Sequence, residues 1–372
     1  MTHVESIFHR IAADPLTYVR QWRQRTAGPV IGTFCSYAPE EIIVAAGGLP
    51  VRLLASGSDM QGADAHLQAY SCSLVRGVLA DLRAGRLDGL DGVVFPHTCD
   101  SIQRLSDVWR LQTPERFHAD VVWPVTVHRP GAEAYAVEIL KAFAARLADY
   151  FHRPVDDAAL RSAADLYNRI REQLQSLYAV LRRHPGRITG ADMSAVMRAS
   201  MVMDRWELND ALSERLPELV KAPAISADAK RLMLAGGICD LPDLYRMIEA
   251  AGAVVVADDL CTGSRYAAGR IDTDIDIWHG LARRYLERAV CPAKHAGITT
   301  RGDEIVAQAR QAEVDGVVLL YLKFCDPHLF DYPYLKQRLE SAGLPVLMVE
   351  LQEGHLGEGQ LRTRLEAFLE ML

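Results

Sequence analysis

The 372-residue sequence predicts an α/β protein made of two doubly wound, parallel-sheet units of Rossmann or flavodoxin type, with a helical segment between them. Three observations carry this expectation. Short apolar runs alternate with long segments of helical period. The runs are rich in Val and Leu, end at Gly, Pro or Asp, and do not alternate with polar residues, as strands covered on both faces require. A local string also recurs: Asp91-Gly92-Val93-Val94 precedes Cys99-Asp100, and Asp315-Gly316-Val317-Val318 precedes Cys325-Asp326.

Taken in order, the expected strands are Leu49–Leu54, Gly92–Phe95, Val121–Val125, Arg231–Leu234, Ala253–Ala257, Gly316–Leu322 and Pro345–Leu351. Between the third and fourth, residues from about Ala134 to Leu219 read as helix, with Leu160, Leu166, Tyr167, Ile170, Leu174, Leu177, Tyr178 and Leu181 on one face. His184-Pro185-Gly186 interrupts that stretch, and Lys221-Ala222-Pro223-Ala224 reads as a connector. The expected division is an N-terminal α/β domain over 1–135, a helical segment over 136–220 and a C-terminal α/β domain over 221–372. A last helix turns Leu361, Leu365, Phe368 and Leu369 inward and Arg362, Arg364 and Glu366 outward.

Composition narrows the function. With 49% apolar, 24% charged and 7% aromatic residues, the chain has the make-up of a folded globular protein. Its net charge of −7 provides no field to attract nucleic acid. No uncharged apolar run approaches the roughly 18 residues of a membrane span, and the first residues carry charge where a secretory signal needs apolar ones, so a cytoplasmic location is expected. There is no GxxxxGK[ST] loop, GxGxxG turn, HExxH or GxSxG, hence no recognisable site for ATP or a dinucleotide, and no residue stands out as a catalytic acid or base.

What remains is the set of seven cysteines at 35, 72, 99, 239, 261, 291 and 325. The nearest pair is 22 residues apart, which excludes zinc ribbons, thioredoxin motifs and ferredoxin runs and requires any metal site to assemble from distant loops. In open α/β sheets ligands collect at the carboxyl ends of strands, and Cys99, Cys261 and Cys325 each follow an expected strand. Cys72 opens an expected helix, where the amide ends favour a thiolate. Any one of these could equally be a small buried apolar residue, and Cys35 is read as structural. His97, Lys294 and Lys323 lie near cysteines; backbone hydrogen bonding or solvation accounts for them as well as ligation or charge tuning does.

Longer strings then become recognisable. Phe34-Cys35-Ser36-Tyr37-Ala38-Pro39-Glu40-Glu41, with Ala45-Ala46-Gly47 and Pro50-Val51-Arg52-Leu53, resembles the opening of the 2-hydroxyacyl-CoA dehydratase and benzoyl-CoA reductase family. His97-Thr98-Cys99-Asp100-Ser101, Asp258-Asp259-Leu260-Cys261-Thr262-Gly263-Ser264-Arg265 and Lys323-Phe324-Cys325-Asp326-Pro327 continue the resemblance to the end of the chain. It implies a [4Fe-4S] cluster between two domains, held by Cys72, Cys99 and Cys325, with a separate ATP-hydrolysing iron–sulfur activator as electron source and an acyl-CoA as substrate. A homologous second subunit, or a second copy of the chain, would complete the enzyme. Cys291-Pro292-Ala293-Lys294-His295 resembles the reductase branch and the related double-cubane proteins, in which six cysteines hold an [8Fe-9S] pair of cubanes. On that alternative Cys239, Cys261 and Cys291 join the ligand set of a homodimeric reductase of small molecules. A cluster-bearing protein without catalysis of its own is the remaining alternative.

Overall fold

A computed structural model describes residues 6–56, 60–219, 229–288, 290–294, 296–297, 299–351 and 358–372. The chain opens with α1 (Ile7–Ala13) and α2 (Pro15–Arg25), then runs β1 (Val30–Thr33), α3 (Glu40–Ala45), β2 (Leu49–Arg52), α4 (Gln61–Asp64), α5 (Ser73–Arg83), β3 (Gly92–Phe95), α6 (Asp100–Gln112) and β4 (Phe117–Asp120). Four helices follow: α7 (Ala132–Phe151), α8 (Asp157–Arg183), α9 (Gly190–Ser200) and α10 (Arg205–Leu219). The second half runs β5 (Lys230–Gly236), α11 (Pro242–Ala250), β6 (Ala253–Asp259), α12 (Ile277–Glu287), α13 (Thr300–Gln311), β7 (Gly316–Leu322), α14 (Asp326–Ser341), β8 (Val346–Leu351) and α15 (Glu358–Glu370).

Both sheets are wholly parallel, ordered β2-β1-β3-β4 and β6-β5-β7-β8, so each half repeats one topology, as the recurring string suggests. The repeat has a local cause. Asp91 Oδ2 accepts from the Val30 amide at 2.8 Å, and Asp315 Oδ2 from the Arg231 amide at 2.7 Å, so the same aspartate ties down the first strand of each sheet. The following glycine leaves room for a ring: a Cβ on Gly92 would lie 2.5 Å from Phe117 Cβ, and one on Gly316 2.8 Å from Phe368 Cζ.

Two strand expectations need correction. Val30–Thr33 is a strand that no apolar run announces, and Val121–Val125 lies outside any strand, the fourth strand being Phe117–Asp120. That strand buries only alternate residues, as an edge strand does, so it shows no apolar run. The run after it has left the sheet, with Val122 and Val125 exposed and Trp123 buried, its Nε1 donating to the Tyr37 carbonyl at 2.8 Å. The connector Lys221–Ala224 and His295 lie outside the described residues.

One face of the first sheet packs on α5, α6 and the apolar stripe of α8 (Leu166, Ile170, Leu174, Leu177). Its other face packs on α3 and α7 and also on α12, whose Ile277, Leu281 and Tyr285 come from the second half. The two halves are therefore interlocked, with α8 also packed against β6. Among the described residues no helix is long and apolar enough to cross a membrane.

Candidate functional site

Cys72, Cys99 and Cys325 occupy the same structural position three times over: each is the N-cap of a helix, of α5, α6 and α14, and none caps it through a side-chain hydrogen bond. Cys99 and Cys325 follow β3 and β7, the equivalent strands of the two sheets. Tight turns deliver them there, through left-handed backbone at His97 (φ 35°) and Phe324 (φ 63°). His97 is anchored by Asp120, which lies 2.6 Å from its Nε2 and accepts from Ser106 Oγ at 2.6 Å.

The three cysteines and Cys291 line one cleft of about 690 Å³ that draws its walls from both halves. Burial pushes the Cys99 thiol up to about 12, and Cys72 adds to the rise. Burial also raises Cys325 well above the usual thiol range, reinforced by Cys72 and Cys99. The three thiols thus feel one another's charge, and three helix N-termini converge on them. Such thiols stay protonated and inert unless a cation takes the proton's place, when dipoles and amides favour the thiolate form. His328 Nδ1 lies 3.2 Å from Cys325 Sγ while its Nε2–H donates to the Gly236 carbonyl at 3.0 Å. Burial, with Arg265 and Arg301 nearby, holds this histidine well below its usual range and hence neutral.

The remaining cysteines divide differently from the expectation. Burial brings Cys291 up to about 11, and Cys261 and Cys35 both contribute. Cys35, Cys261 and Cys291 therefore form a second trio, which touches the first through the mutual influence of Cys261 on Cys325 and of Cys35 on Cys99. Cys239 stands apart in the core beneath the second sheet, pushed up to about 12 by burial with no other thiol acting on it. Its amide and carbonyl both bond to Thr262 Oγ1, at 3.0 and 2.9 Å. The trio thus contains Cys35, read from sequence as structural, in place of Cys239. The missing signal was β1: once Val30–Thr33 is a strand, Cys35 sits at the carboxyl end of an inner strand, where ligands collect.

Lys323 sits at the mouth, its Nζ 5.2 Å from the Phe324 ring, whereas Lys294 is buried. Among the described residues no three His, Cys, Asp or Glu side chains are set for a single metal ion. The donor set is instead all thiol and grouped in threes, which fits a polynuclear iron–sulfur group with one thiolate per iron.

The sequence profile of the family described as 2-hydroxyglutaryl-CoA dehydratase, D-component, matches residues 35–372. The chain belongs to that family. Among individual proteins it is 26% identical to the (R)-phenyllactyl-CoA dehydratase beta subunit of Clostridium sporogenes, over 98% of this chain and 97% of that one. It is 29% identical to a benzoyl-CoA reductase subunit of Thauera aromatica, over 91% and 89%. It is 26% identical to the lactoyl-CoA dehydratase beta subunit of Anaerotignum propionicum, over the full length of both. As a member of the dehydratase family, the chain turns its thiol cleft towards the junction of its two sheets, with the aromatic side chains of Phe324, Phe330 and Tyr334 on one wall.

Proposed function

We propose that this chain is the cluster-bearing subunit of an enzyme of the 2-hydroxyacyl-CoA dehydratase and benzoyl-CoA reductase type, acting on a CoA thioester by low-potential one-electron chemistry. The observation that carries the reading is the convergence of Cys72, Cys99 and Cys325, all helix N-caps, on one cleft in a chain matched by the family profile over 35–372. A [4Fe-4S] cluster held by these three thiolates would supply a strongly reducing electron and an open iron position that polarises a thioester oxygen.

The rest is supplied by the chain. The N-terminal dipoles of α5, α6 and α14 offset negative charge at the thiolates and pin their Cα positions on regular elements rather than on free loops. Phe324, Phe330 and Tyr334 give the cleft an apolar wall that seats an acyl group and excludes water from its vicinity. Asp100, Asp326 and Asp331 line the same cleft, so it favours the uncharged acyl and thioester end of the substrate and leaves the CoA phosphates outside. Electrons come from a separate ATP-hydrolysing activator, in keeping with the lack of a phosphate loop in this sequence, and a homologous partner chain completes the enzyme.

The test is iron and acid-labile sulfide per chain on anaerobically purified protein, with an EPR spectrum after reduction. Cys99→Ser and Cys325→Ser are expected to lose the cluster; a protein that takes up no iron under careful anaerobic reconstitution would sink the proposal. A second reading, a homodimeric double-cubane reductase, is favoured by the trio Cys35, Cys261 and Cys291 beside the first, and it expects about eight irons per chain rather than about four.

A further inference from the structure

Around Cys35, Cys261 and Cys291 the buried charges do not balance. Arg265, Arg288 and Lys294 are 2%, 6% and 4% exposed. Arg288 donates to the Ser36 carbonyl at 2.5 Å, to Ser36 Oγ at 2.7 Å and to the Arg265 carbonyl at 2.7 Å, all neutral acceptors. Lys294 has one long contact, 3.4 Å to the Trp123 carbonyl. The two cations share the Tyr37 ring, with Arg288 at 4.8 Å and Lys294 at 5.6 Å from its centre. Arg265 gives one N–H to the Gly236 carbonyl and leaves Nε and Nη1 without a hydrogen-bond partner.

The nearby acids are already engaged. Asp259 accepts from Arg301 at 2.7 Å and reaches Arg265 only at 3.5 Å; Asp331 lies on Arg301, and Glu304 accepts from the Val290 amide at 3.3 Å. Among the described residues neither Arg288 nor Lys294 forms an ion pair with a carboxylate. A buried, unpaired ammonium or guanidinium is costly and persists where an anion completes it. The chain elements carrying these cations also carry the thiols: Ser36 adjoins Cys35, Arg265 follows Cys261 by one turn, and the Lys294 amide donates to the Cys291 carbonyl at 2.8 Å.

We propose that Arg265, Arg288 and Lys294 form a cationic seat for an anionic, thiolate-ligated iron–sulfur group on Cys35, Cys261 and Cys291, with Lys294 a positioning residue that sets the group's potential. This rests on the reading that the chain carries thiolate-bound iron, and adds a second ligand set with its counter-charges. Arg288 and Arg265 fix the Cys35 and Cys261 loops to each other. Lys294 supplies charge with little structural duty, and so is the residue to change.

The experiment is anaerobic reconstitution of the full chain and of the Cys35→Ser, Cys291→Ser, Cys239→Ser, Cys99→Ser and Lys294→Met variants, followed by iron analysis and EPR-monitored potentiometry. About eight irons are expected for the unaltered chain, about half of that for Cys35→Ser and Cys291→Ser, and no loss for Cys239→Ser. Lys294→Met should keep its iron and its thermal transition but move one reduction step to more negative potential, and Lys294→Arg should restore it, because removing a nearby positive charge disfavours the reduced state. If the unaltered chain holds about four irons, lost in Cys99→Ser and kept in Cys35→Ser, this inference falls and the single-cluster reading stands. Unchanged potentials in Lys294→Met overturn the role of that lysine. Absence of iron from the unaltered chain overturns both readings.

Discussion

Cys239 shows how placement, and not residue type, decides what a thiol does. Burial holds it up at about 12, and Thr262 pins its backbone from both sides. A thiol with that value is roughly one part in ten thousand thiolate at pH 8, whereas an unfolded cysteine near 8.5 is about a quarter ionised. Cys239 of the native chain should therefore resist iodoacetamide at pH 8 and react promptly once denaturant is added, which peptide mass spectrometry reads directly. Modification in the native state at the unfolded rate would place it on an accessible surface. Its sequence neighbourhood gave no hint of this, because Cys239 and Cys261 each follow an apolar run; what separates them is the depth at which the chain turns.

At the scale of elements, the strands that the sequence declares are the central, doubly covered ones, β3, β6 and β7, whose Val-Val runs face helices on both sides. The ones it conceals are four-residue strands: β1, with a glycine and a threonine among its residues, and β4, with only Phe117 and Ala119 inward. The three N-capping cysteines were legible as loop and helix-start residues, while their convergence was not, since it depends on the two sheets being brought edge to edge. The Asp-Gly-Val-Val repeat was legible and has a mechanical basis that can be tested. In Gly92→Ala the new methyl would meet Phe117 at 2.5 Å and its carbonyl oxygen at 2.6 Å, so the edge strand must shift. The expected loss is about 1–3 kcal/mol, seen as a lower urea midpoint, whereas Gly89→Ala, with no neighbour within 4 Å, should be near neutral. Equal midpoints for the two would show that the close approach of β3 and β4 is not a constraint.

For the molecule as a whole, the sheets can present a shared cleft only if the parts joined by α8 keep one arrangement, and α3 provides the bolt. Glu40 Oε2 accepts from Tyr167 at 2.9 Å and Arg205 at 2.9 Å in the helical segment, and from Tyr266 at 2.8 Å in the second half. Its neighbour Glu41, fully buried, pairs with Arg171 on α8 and accepts from Tyr285 on α12 at 2.7 Å, with Arg284 at 3.9 Å. Burial acts to raise Glu41, but Arg171 and Arg284 outweigh it and hold the carboxyl below its ordinary range. Arg284 itself is drawn down to about 10 by burial and by its neighbours Arg171 and Arg288, because one carboxylate serves two guanidiniums and Arg171 is the nearer. A carboxylate depressed in the folded state stabilises that state fully above its unfolded value of about 4.3 and loses the contribution as pH falls through the lower folded value. Stability measured by urea unfolding should accordingly stay level from pH 7 to about 5 as far as Glu41 is concerned and fall below that. Glu41→Gln should cost about 3–5 kcal/mol at pH 7, since it leaves Arg171 and Arg284 uncompensated, and should flatten the acid limb. A Glu41→Gln chain as stable as the parent at pH 7, with the same acid limb, would mean that the halves are held by apolar packing alone and that the charged bolt is dispensable to the cleft.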